Sequence, residues 1–335
     1  MLAGFHQSLL SILHSLIFAQ PMQVHTDLNL LPTFRNAVLT IGTYDGVHMG
    51  HQQIIAHLKE EALKINGETV IVTFHPHPRK VVSSVPGDIK LLSTLDEKIK
   101  LIEKAGINHL VVVHFDYRFS NLHPEEYVKD FLYKNFKPHT LIIGYDHRFG
   151  KGREGDYHLL EKMGNELGFI VKEIPEHILN NAIISSTKIR NALLTNDIAA
   201  ANSFLGYDYF FEGLVIEGNK IGRTLGYPTA NLHIESEEKL IPGDGVYAVK
   251  VEIIDEDPDN IQLHKGMMNI GLRPTVDGKK RMIEVNIFNF NEDIYDRTLR
   301  IYVHSFIRGE VKFNGLEELK MQLAKDKLHA LAALS

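Results

Sequence analysis

The chain changes its hydrophobic rhythm partway along. In its first two thirds, short and nearly continuous apolar runs alternate with stretches of helical period. The runs beginning at Val38, at Glu68 to Phe74, at Leu110 to Phe115 and at Thr140 to Gly144 read as buried strands. Between them, Gln52 to Leu58, Thr94 to Ala105 (with Leu95, Ile99 and Ile102 on one face) and Pro124 to Phe136 read as helices. Apolar strands separated by helices predict βαβ units and a parallel, doubly wound sheet of Rossmann-like type. Asn191 to Phe204 is an Ala-rich stretch that predicts a continuing helix, doubling as a linker. From Tyr209 the helical period is lost, and short β-runs follow at Phe210 to Ile216, Gly245 to Ile254, Lys265 to Ile270, Arg281 to Phe290 and Thr298 to Phe306. Turn residues between them predict an antiparallel barrel or sandwich, with a last amphipathic helix over Leu316 to Leu331 on its outside. The expected domains are therefore 22–202, α/β, and 203–335, a β-barrel, preceded by an extension of residues 1–21.

Composition narrows the function classes. A chain of 335 residues is too long for one ordinary core, in keeping with two domains. Apolar content of 44% and charged content of 23% fit a soluble globular protein, and the net charge of −6 argues against a partner as polyanionic as nucleic acid. With no cysteine, disulfides, thiolate metal sites and a Cys nucleophile are all excluded. The expected class is a cytoplasmic enzyme acting on small molecules, with an oligomer possible but not predicted. Leu9 to Phe18 is apolar, but no Lys or Arg precedes it, His14 interrupts it, and it falls short of the ~20 residues of a spanning helix. It reads as an upstream extension ahead of Met22, not as a leader or an anchor.

Candidate chemistry begins where the first strand breaks into Gly42-Thr-Tyr44-Asp45-Gly46-Val-His48-Met-Gly50-His51. Gly42 and Gly46 allow backbone angles that other residues resist, and Gly50 allows close approach of a ligand to the main chain. A helix starting there offers unpaired N–H groups and the positive end of its dipole to phosphate. His48 and His51, three residues apart, fall on one face and can both donate to that anion, although such a pair by itself is also half of a metal site. His75-Pro-His77-Pro has chelating spacing too, but its prolines predict an extended loop and no acidic partner is near. Gly144 to Asp156 is a glycine-rich turn carrying positive charge, which alone would also describe a solvated loop. Ile184-Ser-Ser186-Thr187-Lys-Ile-Arg190 reads as a strand end turning into a helix, with Ser186 or Thr187 as cap and anion ligand and Arg190 one turn on.

These segments resemble a known family. The string G-x-Y-D-G-V-H-x-G-H-Q is similar to the signature of the H-x-G-H nucleotidyltransferase superfamily, and in particular to its FAD synthetase branch. The His75 loop resembles that family's T-F-x-P-H-P, Gly144 to Asp156 its G-x-D-F-R-F-G element, and S-S-T-x-I-R its second phosphate motif. The resemblance implies adenylyl transfer from ATP to FMN, with His48, His51 and Arg190 catalytic. ATP would be held by Gly42, Tyr44, Asp45, Gly50, Ser186 and Thr187, with His77 and Asp146 beside the flavin and Arg148 structural. His147 stands where the family more often has an aromatic residue.

In the second half, Gly222-Arg223-Thr-Leu-Gly226-Tyr-Pro228-Thr229-Ala-Asn231 lacks the G-K-[ST] of a Walker loop and could be read as a hairpin loop. Period-two alternation in Ile283 to Phe290 sends Glu284 and Asn286 to one face and Val285 and Ile287 to the other. These segments resemble the G-R-x-L-G-[FY]-P-T-A-N and E-x-x-I-F-x-F…D-[IL]-Y motifs of riboflavin kinase. The resemblance implies that Thr229 and Asn231 hold Mg²⁺, that Gly222, Arg223, Gly226, Pro228 and Asn231 bind ATP, and that Glu284 is the base for the ribityl hydroxyl. It also implies that Arg273 and Thr275 lie at the flavin. Asp296 replaces a glycine common after the D-I-Y. Taken together, the chain is identified as a member of the bifunctional riboflavin kinase/FAD synthetase family, with riboflavin, FMN and ATP as substrates. A nucleotidyltransferase with a flavin-binding barrel and a flavin sensor with dead sites are the rival readings.

Overall fold

The computed structural model describes residues 21–83, 89–174, 184–218, 222, 225–254, 262–275 and 278–335, with backbone only at 274–275 and 278–280. The extension at 1–20, Arg223, the run leading into Ile184 and the Thr275 side chain lie outside the described residues. The described residues form two compact units: Lys90–Thr94 and those from Ile184 onward make one, the rest the other.

The first unit is built on six strands, β1 (Gln23–His25), β2 (Val38–Ile41), β3 (Thr69–His75), β4 (His109–His114), β5 (Thr140–Gly144) and β6 (Ile170–Ile174). Their order is β1-β4-β3-β2-β5-β6 and every pair is parallel. Alternate residues of β2 to β5 face opposite ways. Leu39, Val70, Val72, Val111 and Leu141 enter a core with Phe34, Phe131 and Phe136, while Val38, Ile71, Leu110 and Ile142 meet Ile55, Leu58 and Ile102 on the other side. The second group is covered by helices α1 (Met49–Lys64) and α2 (Leu95–Lys104), and Leu160 and Met163 of α3 (Tyr157–Leu167) join the first. A parallel sheet so covered leaves its strand ends as the place for polar chemistry, above all between β2 and β5, where the order reverses.

Four local features depart from the sequence reading. β1 and β6 were not expected. β1 has only three residues, and β6 is an edge strand exposing Ile170, Lys172 and Glu173, so neither carries a strong apolar run. Helix α1 begins at Met49, earlier than Gln52, which brings His51 into its first turn. The expected helix over Pro124 to Phe136 is present, but its middle, Tyr127–Tyr133, winds as a π-helix. After His75, the expected extended loop gives way at Pro78 to a short helix, Pro78–Val82, whose N-cap His77 accepts from Arg79 N through Nδ1 at 3.2 Å. Proline at the first helical position costs nothing, since its missing N–H would have had no partner.

The second unit is a closed antiparallel barrel, not a sandwich. Strands β7 (Tyr209–Ile216), β8 (Ala230–His233), β9 (Gly245–Ile254), β10 (Leu263–Thr275), β11 (Gly278–Ile287) and β12 (Thr298–Arg308) run in the order β10-β11-β8-β7-β12-β9, with β9 returning to β10. Phe211, Val215, Tyr247, Val249, Met268, Ile283, Val285 and Ile301 fill its interior. The expected single helix through Asn191 to Phe204 is two, α4 (Ser186–Leu194) and α5 (Ile198–Leu205). Asn196 between them is left-handed at φ 66°, and Asp197 caps α5 by accepting from Ala200 N at 3.1 Å. Neither is a linker, because Ile189, Leu193, Ile198, Ala201 and Leu205 belong to the barrel's own core. The cap of α4 is Ser185, not Ser186 or Thr187: its extended backbone lets the side chain accept from Lys188 N at 3.3 Å. Leu92 joins the same core, and Leu91 forms a parallel bridge with Lys239.

The terminal helix α6 (Leu316–Ala333) packs Ala330, with Leu334 beyond its end, against Ala248, Met267 and Phe288 on the barrel's outer face. The fully buried Asp326 on α6 is gripped by Arg308, which donates to it from Nε at 2.9 Å and from Nη2 at 2.6 Å. Such a planar, two-pronged pair supplies the partner that a buried carboxylate requires. In the turn before β12, Asp296 sits at φ 59° and donates its N–H to Val215 O at 3.1 Å, a left-handed position that a glycine occupies without strain.

Two stability measurements follow. Asp296→Gly should raise the barrel's unfolding free energy by about 0.5–1 kcal/mol, the relief of the left-handed strain exceeding the entropy a glycine adds to the unfolded chain. Ser185→Ala should lower it by about 1 kcal/mol through loss of the cap, while the exposed Thr187→Ala should change it by less than about 0.5 kcal/mol. The chain has no tryptophan, so urea unfolding followed by far-UV circular dichroism is the direct measurement.

Candidate active sites

The first site is the turn that leaves β2. Gly42 N still donates to Val72 O at 3.0 Å, and then the backbone becomes left-handed at Tyr44 (φ 49°), Gly46 (φ 80°) and Val47 (φ 39°). Only Gly46 adopts such angles freely, and a β-branched residue there is a true outlier of the kind that concentrates at functional sites. Gly42 is not left-handed, contrary to the expectation. It is required for space, since a Cβ would come within 3.0 Å of the Tyr44 ring. His48 is then the N-cap of α1, its carbonyl accepting from Gln52 N at 3.0 Å, and the first turn of α1 contains no acidic side chain. The helix N-terminus therefore keeps its positive character for an anion.

His48 and His51 lie face to face, ring centroids 3.8 Å apart and planes at 17°, with the Tyr44 ring 4.8 Å from that of His51. Tyr44 is buried and donates its hydroxyl to Thr40 Oγ1 at 3.1 Å. His51 Nδ1 is buried with no hydrogen-bond partner among the described residues. Burial pushes the His51 imidazole well below its usual range, and the charges of His48 and Lys98 act in the same direction. At neutral pH it is uncharged, one nitrogen a donor and the other an acceptor.

Lys98 escaped the sequence reading. It stands on the apolar stripe of α2, three residues after Leu95 and one before Ile99, and is 6% exposed. Its Nζ donates to Thr73 Oγ1 at 3.3 Å, and Thr73 Oγ1 donates to Thr43 O, inside the turn, at 3.1 Å. Burial lowers its pKa to about 8, against which the buried Asp45 carboxylate holds the charged form. The visible signal was a lysine where the helical period demands an apolar residue.

His77 follows β3 and Asp146 follows β5, the neighbours of β2 on either side, so both stand at the same edge of the sheet as the turn. Asp146 is exposed. The His147 ring stacks at 6.0 Å on Phe149, and Arg148 pairs with Asp156, the N-cap of α3, at 3.3 Å. In the second unit, at the N-terminus of α4, Ser186 is half-buried, Thr187 is exposed, and Arg190 Nε donates to Lys90 O at 2.7 Å.

The second site lies on the barrel. The carbonyl of Gly222 accepts from Leu225 N at 3.1 Å and Tyr227 N at 2.8 Å, and Gly226 is left-handed at φ 81°. The motif then enters β8, a strand of four residues too short to show in the sequence pattern. Asn231, buried, pairs across the ladder with Glu284, and Ala230 with Val285. Val285 faces the interior, so Glu284 lies on the outer face, opposite Val285 as the alternation predicted, and the ladder brings Asn231 to the same face. Asn286 Nδ2 donates to Pro228 O at 2.6 Å and ties the motif to β11. Arg273 reaches Glu284 at 3.4 Å and Glu310 at 2.8 Å. On the other side of these strands, a cavity of about 420 Å³ is lined by Val215, Pro228, Thr229, Val285 and Ile287 and by Phe290 to Tyr295, the stretch that carries the end of the E-x-x-I-F-x-F…D-[IL]-Y motif. That volume suits a nucleotide-sized ligand.

Comparison with known proteins finds two family models in succession along the chain. The family model for FAD synthetase matches residues 31–188 and that for riboflavin kinase residues 205–334. The bifunctional riboflavin kinase/FMN adenylyltransferase of Escherichia coli K12 is 38% identical over 293 residues, 88% of this chain and 91% of that protein. The protein of that name from Bacillus subtilis 168 is 36% identical over 304 residues, 89% and 93% of the two chains. A crystal structure from Streptococcus pneumoniae, described as a macrolide-efflux protein, superimposes with a TM-score of 0.80 at 30% identity, covering 92% of this chain and 98% of that one. Among the described residues of this chain, no helix is long and apolar enough to cross a membrane. With both domain models matched in order and this identity sustained over nearly the full length of its relatives, the chain belongs to the bifunctional riboflavin kinase/FMN adenylyltransferase family.

Proposed function

We propose that the turn from Gly42 to His51 is the adenylyl-transfer site and the outer face around Asn231 and Glu284 the riboflavin-phosphorylating site. The observation that carries the first assignment is the His48–His51 stack at the N-terminus of α1, with both Nδ1 atoms buried. In adenylyl transfer a phosphate oxygen of FMN attacks the α-phosphorus of ATP, that P–O bond forms as the bond to the β-phosphate breaks, and pyrophosphate leaves. No protein nucleophile takes part, so the chain's work is to position the two reactants and to donate to charge as it accumulates. His48 and His51 donate from the turn, with Gly42, Tyr44, Asp45 and Gly50 shaping it. Ser186, Thr187 and Arg190 are assigned to the outer phosphates of ATP, and His77 and Asp146 to the flavin side.

On the barrel, Glu284 accepts the proton of the riboflavin 5′-hydroxyl as that oxygen attacks the γ-phosphorus of ATP. Gly222, Gly226 and Pro228 carry the loop over the phosphates, and Arg273 and Thr275 face the flavin. Thr229 and Asn231 offer a hydroxyl and an amide oxygen beside the Glu284 carboxylate, the oxygen donors that a Mg²⁺ ion prefers. Among the described residues no cluster of His, Asp and Glu side chains is arranged to hold a metal without help. The chemistry of this donor set fits a cation that shares its shell with phosphate oxygens and water, which would neutralise charge on the transferring group. Arg273, paired with both Glu284 and Glu310, holds the proposed base in place from one side.

The test is a chromatographic time course with riboflavin, ATP and Mg²⁺. The unaltered protein should form FMN first and FAD after it. His51→Ala should still form FMN while FAD formation falls by about 10²–10³, the usual cost of one well-aimed donor. Glu284→Ala should fail to phosphorylate riboflavin yet convert added FMN to FAD. A His51→Ala protein keeping more than about a tenth of its FAD formation would remove His51 from this role.

A further inference from the structure

Lys98 has no place in the reading above, and burying an ammonium costs several kcal/mol even after the protein relaxes around it. A leucine or methionine on this stripe of α2 would serve the core of the first unit better. The charge is placed with some care all the same. It reaches Thr73 on β3, Thr73 reaches the carbonyl of Thr43, and its attracting carboxylate is Asp45, so helix, strand and turn meet through one side chain. A costly buried charge fixed to a strained loop at a strand's carboxyl end is the kind of group that marks a working site.

We propose that Lys98 is a positioning residue of the adenylyl-transfer site: its buried ammonium, bonded to Thr73 and through Thr73 to the carbonyl of Thr43 in the Gly42–His51 turn, sets the electrostatic field in which His48 and His51 meet phosphate. The proposal rests on the reading of His51 as a donor in that site. The groups acting on His51 are His48 at the helix cap, the Tyr44 ring in the turn and the charge of Lys98 from α2, while Asp45 acts on Lys98. Burial is the largest force against a proton on His51, and the charges of His48 and Lys98 add to it. The imidazole is thereby kept uncharged until phosphate arrives. Removal of Lys98 lets His51 take up a proton at higher pH, because the repulsion is gone. It also releases Asp45 and Thr73 from their shared partner, so that the turn loses its tie to α2.

The experiment is the pH dependence of kcat/KM for FMN adenylylation in the full chain, compared among the unaltered protein, Lys98→Met, Lys98→Arg and His51→Ala. Riboflavin phosphorylation in the same preparations reports that the protein is intact. Lys98→Met should lose about tenfold or more in rate at neutral pH, and its acid limb should lie about one pH unit higher, the shift expected when one like charge is removed from a nearby group. Lys98→Arg, which keeps the charge, should keep the unaltered acid limb even if its rate falls. A purely packing role would move neither limb. An unshifted acid limb in Lys98→Met, or the same shift in Lys98→Arg, overturns the proposal while leaving the His51 assignment standing. Substantial FAD formation by His51→Ala overturns the assignment on which the proposal rests.

Discussion

A sheet whose strands are all parallel has to hide both of its faces, and the first unit follows from that requirement. Its strands carry apolar residues on either side, and two separate cores form, one rich in phenylalanine and one built on α1 and α2. Every polar function is then pushed to the strand ends. There the chain must also reverse direction, so the tightest turn and the chemistry compete for the same few residues. The left-handed backbone at Tyr44 and Val47 reflects that competition: the packing of Tyr44 against Thr40 and His51 holds angles that the residues would not choose alone. The barrel meets the same demand differently. Closure hides one face of each strand completely, so its polar groups lie on the outer face and at the rim, where Asn231, Glu284 and Arg273 are found.

The two halves of this flavin-forming enzyme act on phosphorus with contrasting electrostatics. In the first, imidazoles, a carboxylate and an ammonium are buried together, and low exposure amplifies each charge upon the next. In the second, a carboxylate stands half-exposed and shares an arginine with a second glutamate. The first arrangement fixes donors before the ligand arrives. The second leaves its carboxylate tied to an arginine that a second carboxylate shares.

Much of this was legible in the sequence, for identifiable reasons. Strands β2 to β5 are buried on both faces and so spell continuous apolar runs, and Gly245–Ile254 was located to the residue because it too is buried along most of its length, inside the barrel and under α6. The stacked histidines were visible because their spacing is that of a helix face, and the pairing of Asn231 with Glu284 was half visible through period two. What failed to show had no local signature. β1 and β8 are three and four residues long, and their pairing is decided by distant partners. Ser185 could not be told from its neighbours as a cap, since that depends on one residue's backbone angle. Lys98 was passed over because a helix pattern with three apolar positions in register looks complete, and only burial reveals the fourth member as charged. Asn196 ended a helix within an Ala-rich run that gave no warning beyond Asn-Asp itself.

The five residues Lys90–Thr94 lie in the middle of the first unit's sequence, yet Leu92 is part of the barrel's core and Leu91 is bonded at both its N–H and its carbonyl to the segment around Lys239. The two activities are therefore not two separable stretches of gene. A fragment beginning at residue 203 would leave behind Leu92, Ile189, Leu193, Ile198 and Ala201, all of them core side chains of the barrel. A fragment cut at Ile184 instead would keep the last four of these and lose Leu92, a barrel-core side chain written inside the first unit's sequence. A fusion with that property can drift in sequence, but it cannot easily come apart again.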